Sequence, residues 1–254
     1  MFPLRDENPL VHRPIAVVVI IIANALAWAL LQGFGTDPSL AKSVCVYGLI
    51  PGDLLGTAPA GSSFPLNEQL SCVLDGNPSW LTTVTSMFMH GGWFHIIGNM
   101  WFLWVFGDNV EDVMGPARFA VFYLLCGFAA AGAQVMSDSD SIVPMVGASG
   151  AIGGVMGAYA LMFPRAHVLT FIFLGFYMTT VAVPALFMLG YWFLLQILSG
   201  LPALAQNTGG GVAFWAHVGG FVAGVALVPL FRRGDYMEQH RAQSQRTTAR
   251  HRWF

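Results

Sequence analysis

The sequence predicts an all-α polytopic membrane protein, a bundle of six transmembrane helices with a long first outer loop. Three observations predict it: the composition, the number of long apolar segments, and the distribution of basic residues. Of the 254 residues, 56% are hydrophobic and 9% are charged, and the mean hydropathy is +0.63. A soluble domain carries about 25% charged residues, so these few charges could not cover the chain with a polar surface. Lipid must therefore be the solvent for much of the chain.

Six segments are apolar over a length that can cross a bilayer. The hydrocarbon core is about 30 Å thick and requires roughly 20 helical residues. The segments are residues 14–32, 93–109, 117–136, 149–163, 184–199 and 214–231.

Prolines and glycines mark several ends of these segments. Pro14 suits the first turn of a helix, the third segment follows the pair Gly115–Pro116, and the fourth stops before Pro164. A long polar loop and further apolar runs follow the first segment, which we therefore interpret as a retained span and not a cleaved secretory signal. The apolar stretch 167–183 fits either a re-entrant interfacial piece or an early start of the fifth helix.

The basic residues test this count independently. With the N-terminus inside, Lys42 is the only basic residue in the outer segments, which also hold several acids. This positive-inside asymmetry predicts six spans with both termini in the cytosol, in what we expect to be a bacterial inner (plasma) membrane. The inner segments hold Arg5, Arg13, Arg118, Arg165, Arg232, Arg233, Arg241, Arg246, Arg250 and Arg252.

The chain therefore divides into three parts. Residues 1–13 form a cytoplasmic N-terminal segment and residues 14–233 the membrane domain. The outer loop of that domain, about 33–85, is too long to be a plain connector. Residues 234–254 form a basic cytoplasmic tail that we expect to be disordered, with weak contact to anionic lipid as the alternative.

Two of the three cysteines, Cys45 and Cys72, lie in the outer loop, on the side that would be oxidising outside the cell or in a periplasm. They form either a disulfide or two buried free thiols. Cys126 lies inside the third span and is most simply a small apolar residue.

Polar side chains inside spanning helices are costly and indicate function. His95 and Asn99 lie one turn apart near the outer end of the second span, and His217 lies near the outer end of the sixth. Ser149 begins the fourth span. With 15 residues this span covers only about 22 Å, so its first turn starts below the membrane surface. Irregular backbone at that depth must be buried or line a water-filled cavity.

Each of these residues also has a simpler interpretation. Ser149 lies near glycines and could allow close helix packing, while His95, Asn99 and His217 could make hydrogen bonds between helices. His90, before Gly91–Gly92, could be an interfacial loop residue. A functional role for these residues is favoured over the simpler interpretations because three helices carry their polar residues at the same end.

Three motifs resemble those of the rhomboid intramembrane proteases. Gly147-Ala148-Ser149-Gly150 resembles the family's GxSG. Ala216-His217 with Gly220 and Gly224 resembles its AHxxGxxxG on the last helix. The block from His90 to Asn99, with His95 between them, resembles its HxxxxHxxxN on the second helix. The order, spacing and topology agree over about residues 14–233.

This resemblance implies a Ser–His dyad that cleaves transmembrane protein substrates within the lipid bilayer. Ser149 would be the nucleophile and His217 the general base, while His95, Asn99 and the backbone N–H of Ser149 would form the oxyanion hole. A small residue before the scissile bond is expected from the family. The nearest acid in the spans, Asp108, lies nine residues, or roughly 14 Å, below Asn99, so the sequence permits a dyad.

Other residues of the motifs have packing roles by the same resemblance. Gly220 and Gly224 would let the sixth helix approach the fourth, and His90 would be structural. Some rhomboids place an aromatic residue four positions after the serine, against the histidine ring. Here that position is Gly153, so the resemblance does not say how the His217 ring is held.

The same residues distinguish a protease from other classes of membrane protein. A non-enzymatic relative sharing the fold would typically lack the serine or the histidine, and both are present. A transporter would show paired ionisable residues at mid-membrane or internal repeats. The sequence shows neither feature. The sequence has no HExxH, phosphate-binding loop, CxxC or nucleic-acid signature. We therefore expect no metal, no organic cofactor and no nucleic-acid partner, and the sequence does not determine the oligomeric state.

Overall fold

A computed structural model describes residues 2–175, 177–206 and 212–251. Within those ranges the chain is mainly helical, with two small antiparallel sheets. In chain order the elements are β1 (Phe2–Asp6), α1 (Ile15–Leu30), α2 (Ser39–Tyr47), α3 (Pro51–Leu54), β2 (Ser63–Pro65), β3 (Ser71–Val73), α4 (Thr82–Thr85), α5 (Trp93–Met114), α6 (Pro116–Ser137), α7 (Ser149–Met162), β4 (His167–Leu174), β5 (Tyr177–Pro184), α8 (Ala185–Gln206), α9 (Phe214–Phe231) and α10 (Gly234–His251).

Six of these helices, α1 and α5 to α9, coincide with the six predicted apolar segments. Most ends agree within two residues, while α5 and α8 extend several residues further. Among the described residues, three helices are long and apolar enough to cross a membrane: Pro116–Ser137, Ala185–Pro202 and Phe214–Phe231. Helices α1 and α7 are apolar but shorter. The fold is thus that of a helical membrane protein, and the count of six spans stays a prediction.

Helix α5 carries acidic residues near its C-terminal end, and these acids bind the N-terminal part of the chain. The two carboxylate oxygens of Glu111 accept hydrogen bonds from the backbone N–H groups of Ala16 and Val17, each at 2.8 Å. A carboxylate at a helix N-terminus satisfies unpaired N–H groups and complements the helix dipole. Glu111 therefore fixes the start of α1 against α5.

Close packing of α7 on α9 forms the centre of the bundle. A Cβ added to Gly220 would overlap the carbonyl of Gly150, and one added to Gly224 would overlap the carbonyl of Gly154. Only glycine allows the two backbones to approach so closely. This contact brings the first turn of α7 against the first turn of α9.

The stretch 167–183 is not an early start of α8. It forms the antiparallel hairpin β4–β5, in which Phe173 pairs with Met178, and β1 adds a third strand along β4. The run is rich in β-branched and aromatic residues, which favour strands, and Gly175 supplies a positive φ of 65° between the strands. The other alternative, a re-entrant interfacial position of this segment, is not tested.

The expectation of a disordered tail was wrong for the described part of it, because residues 234–251 form α10. His240 anchors this helix: it is 2% exposed, and its Nδ1 lies 2.9 Å from Asp112 Oδ2. Its Nε2 lies 3.0 Å from Asn8 Oδ1. The tail thus packs on α5 and on the N-terminal segment. Residues 252–254 lie outside the described residues.

The outer loop has structure of its own, as its length predicted. It contains α2, α3, the β2–β3 ribbon and α4, and a disulfide joins Cys45 on α2 to Cys72 on β3. Cys126 on α6 is free and buried.

Candidate active site

The first residue of α7, Ser149, faces a histidine in the first turn of α9. Ser149 Oγ lies 2.8 Å from His217 Nε2, which is hydrogen-bond distance. The glycine contacts between α7 and α9 set this distance. An added Cβ on Gly153 would lie 3.0 Å from the carbonyl oxygen of His217, so a larger side chain at this position would crowd the backbone of α9.

A third side chain, which the sequence interpretation missed, holds the other nitrogen of the ring. His217 Nδ1 lies 2.8 Å from Oε1 of Gln196 on α8. An amide oxygen can only accept a hydrogen bond, so Nδ1 carries the proton and Nε2 presents its lone pair to Ser149. A signal was available: Gln196 is the only amide in the apolar segment 184–199, and a polar side chain in such a segment calls for a functional explanation.

An aromatic side chain from the same helix packs against the ring. The indole of Trp192, one turn before Gln196, has its ring centroid 5.7 Å from that of His217, with the planes inclined by 38°. Helix α8 therefore supplies both the packing and the hydrogen bond that position the imidazole.

The glycine two residues before the serine is required at its position. Gly147 has a φ of 129°, a region that side chains rarely adopt. An added Cβ there would lie 2.6 Å from His95 Nε2. The Gly147 N–H donates to the carbonyl of Ser86 at 2.9 Å, which holds the loop in place before α7.

His95 and Asn99 lie on α5 beside the dyad. His95 Nδ1 accepts a hydrogen bond from the backbone N–H of Gly91 at 3.3 Å, so a neutral ring carries its proton on Nε2, the atom nearest Gly147. The side chain of Asn99 is largely buried, and its Nδ2 has no hydrogen-bond partner among the described residues. Both groups can therefore donate to an atom that enters the space between them and Ser149.

His90 is fully buried outside this space. Its backbone N–H and C=O bond to the side-chain amide of Gln32, at 2.9 and 2.7 Å. Burial, with a smaller effect from nearby His95, lowers the pKa of His90 to about 3, so the ring is neutral. The contacts with Gln32 use the backbone and not the ring, and the structural role expected of His90 stays a prediction.

A cavity of about 350 Å³ joins these groups. Its lining is mainly apolar, and the polar groups converge at the end where α7 and α9 begin. The lining residues include His95, Asn99, Phe102, Ser149, Met156, Trp192 and His217. In the described ranges no group of three or more His, Cys, Asp or Glu side chains could hold a metal ion.

Comparisons with known proteins agree with these features. A family model described as the Rhomboid domain matches residues 77–234, more than half of the chain. Rhomboid protein 1, mitochondrial, of Saccharomyces cerevisiae is 28% identical over 188 residues, covering 69% of this chain and 48% of that protein.

Two further relatives widen the range of organisms. Presenilin-associated rhomboid-like protein, mitochondrial, of Mus musculus is 28% identical over 225 residues, 82% of this chain and 46% of that protein. A Bacillus subtilis protein named as a candidate rhomboid protease, YdcA, is 33% identical over 87 residues, 34% of this chain and 43% of that protein. The chain thus spans less than half the length of each of these relatives.

Proposed function

This chain belongs to the rhomboid family, and we propose that it is an intramembrane serine endopeptidase. It hydrolyses peptide bonds in or next to the transmembrane segments of other membrane proteins, using Ser149 and His217. One observation carries the proposal: the 2.8 Å contact between Ser149 Oγ and His217 Nε2 at the polar end of a cavity. Serine is a weak nucleophile and needs a base within this reach.

The proton moves between three atoms. Ser149 Oγ attacks the carbonyl carbon of the scissile bond while His217 Nε2 takes the hydroxyl proton. The imidazolium then gives that proton to the leaving amine as the C–N bond breaks, which leaves an acyl group on Oγ. Water attacks the acyl group with the same base and frees the serine. The proton on Nδ1, held by Gln196, supports this direction of transfer.

The negative charge on the substrate oxygen needs donors that are already in place. His95 Nε2–H, Asn99 Nδ2 and the backbone N–H of Ser149 serve as these donors. The first residues of a helix have N–H groups without intrahelical partners, and Ser149 begins α7. The unpaired, buried Nδ2 of Asn99 supports the assignment, because an unmade hydrogen bond in the free protein can be made in the transition state.

The substrate must unwind before it can be cut. A peptide bond within a stable helix is shielded by side chains and by its own hydrogen bonds. Substrates are therefore spans that open easily near the outer surface, through Gly, Pro or polar residues, with a small residue before the scissile bond. The apolar lining of the cavity supports an apolar, extended segment as its occupant.

We propose a multi-pass location in a membrane, with six spans and both termini on the cytosolic side. Two of the relatives above are named as mitochondrial and one is bacterial. Relatedness therefore does not favour the bacterial inner membrane that the sequence led us to expect.

A serine-directed probe tests the dyad. Detergent-purified protein is incubated with a fluorescent fluorophosphonate and compared with Ser149→Ala and His217→Ala, with Ser199→Ala on the exposed side of α8 as the matched control. We expect labelling of the wild type and of the control, loss of labelling in the two dyad variants, and mapping of the adduct to Ser149. A folded wild type that is not labelled would favour the non-enzymatic relative instead.

A further inference from the structure

Helix α8 carries one polar contact that the dyad itself does not explain. Between residues 185 and 202 its only amide side chain is Gln196, and that amide bonds to His217 Nδ1 at 2.8 Å. Side-chain amides are costly to place in an apolar segment unless they are paired. The pairing is with the ring that the proposed mechanism uses as its base.

The usual third member of a serine hydrolase site would be a carboxylate. The acids of α5 lie at the opposite end of the bundle, where Asp112 binds Val11, His12 and His240. A buried carboxylate is costly to desolvate. A neutral amide oxygen can accept the same Nδ1–H bond without placing a charge in the cavity.

Helix α8, and not position 153 of α7, supplies the aromatic side chain that packs on the His217 ring. Position 153 of α7 is glycine, and a Cβ added there would crowd the carbonyl oxygen of His217 at 3.0 Å. The indole of Trp192 packs on the ring from α8 instead, and Gln196 lies one helical turn further along the same face. The two residues together fix the plane of the imidazole and its tautomer.

We propose that Gln196 is the positioning residue of this active site, holding the proton on His217 Nδ1 so that Nε2 accepts the proton of Ser149. This rests on the proposed endopeptidase function. During the attack the Ser149 proton passes to Nε2, and the imidazolium that forms keeps its other proton on Nδ1 and donates it to Gln196 Oε1. A hydrogen bond to a charged partner is stronger than one to a neutral partner, so the contact stabilises the transition state more than the free enzyme.

Substitutions at this position separate hydrogen bonding from packing. Gln196→Met keeps the volume and removes the acceptor, and we expect kcat to fall roughly ten- to a hundred-fold with KM nearly unchanged. Gln196→Glu restores an acceptor, and we expect it to recover most of the lost kcat. Because a carboxylate stabilises the imidazolium further, the acidic limb of its rate–pH profile should move to higher pH. Leu195→Ala, on the exposed side of the same turn, is the control and should behave as wild type.

The measurements are steady-state cleavage of a quenched transmembrane peptide across pH and thermal unfolding of each variant in the same detergent. The proposal would be overturned if Gln196→Met had the wild-type kcat and an unchanged pH profile. It would also be overturned if the kcat of Gln196→Glu were no higher than that of Gln196→Met. If Gln196→Met does not fold, Gln196→Asn, which withdraws the acceptor by one methylene, makes the same comparison. Failure of the endopeptidase function itself is seen separately, as a wild type that neither cleaves nor takes the fluorophosphonate.

Discussion

The side chain of Asn99 is, in the proposed mechanism, a hydrogen-bond donor that is in place before any substrate is present. Its amide nitrogen is buried and unpaired among the described residues, on the same face of α5 as His95 and one turn below it. An unsatisfied buried donor destabilises the folded protein. That cost is offset if the donor meets negative charge during the reaction.

Asn99→Ala should therefore lower kcat by about a hundred- to a thousand-fold, the loss typical of one oxyanion donor, with little change in KM. Folding should be unaffected or slightly improved, because the buried donor is removed. Steady-state kinetics with the quenched peptide and thermal unfolding check both expectations. A fall in kcat accompanied by a clear fall in the thermal midpoint would instead assign Asn99 to helix packing.

The sequence was sufficient to identify those candidate site residues that lie at a fixed spacing within a motif. Ser149 and His217 lie within short motifs, and their polarity at the same end of three helices predicted that they would converge. Gln196 and Trp192 were not found in this way. They act on His217 from a helix that has no motif, and their roles depend on which face of α8 meets α9.

At the scale of elements, the six apolar helices were predicted closely because length, proline and glycine determine their ends. The hairpin β4–β5 was missed because a continuous apolar run fits a strand or a buried helix equally well. Helix α10 was missed because its sequence is polar on most sides. Its order depends on His240 meeting Asp112 and Asn8, residues more than a hundred positions away in the sequence.

The docking of strand β1 on the bundle is expected to depend on pH. Asp6 Oδ2 accepts hydrogen bonds from Tyr159 Oη at 2.5 Å and from Asn109 Nδ2 at 3.0 Å. Burial raises the pKa of Asp6 from 3.8 to about 7, with nearby Asp108 acting in the same direction and the Tyr159 bond opposing it. Between these two values the folded protein holds a proton that the unfolded chain has lost. Stability from this group is therefore present below about pH 4 and is lost as pH rises through about 7.

Asp6→Asn should remove this dependence. We expect the thermal midpoint of the wild type to fall between pH 5 and pH 8 by more than that of Asp6→Asn. Asp140→Asn, at an exposed acid between α6 and α7, should retain the wild-type slope. Unfolding in one detergent across this range measures the difference. Identical slopes in all three proteins would show that the carboxyl is ionised in the folded state throughout.

Across the described part of the molecule, the N-terminal segment and α10 are joined at one end of the bundle. The carboxylate of Asp112 accepts hydrogen bonds from the backbone N–H groups of Val11 and His12 and contacts the ring of His240. The N-terminal segment, α5 and α10 therefore meet at one acid. The dyad lies at the opposite end of the helices, beside the loop that carries the disulfide Cys45–Cys72.

This arrangement agrees with the topology that we expect, in which both termini lie on the side that would carry ten of the eleven basic residues. The positive-inside rule places that side in the cytosol. If α1 and α5 to α9 all cross the bilayer, Glu7 and Gln239 share the cytosolic side, while Glu68 and Asp140 lie outside. If only the three longest apolar helices crossed, Glu7 and Glu68 would lie on the same side.

Single cysteines at these four exposed positions distinguish the two arrangements. They are introduced into a chain whose own three cysteines are replaced by serine. In intact cells or sealed right-side-out vesicles, a membrane-impermeant maleimide should label Glu68→Cys and Asp140→Cys. It should label Glu7→Cys and Gln239→Cys only after permeabilisation. Because an odd number of spans would separate the two termini, labelling of either terminal position alone in intact cells would refute six spans. Retained fluorophosphonate labelling of each variant would show that the cysteine changes left the fold intact.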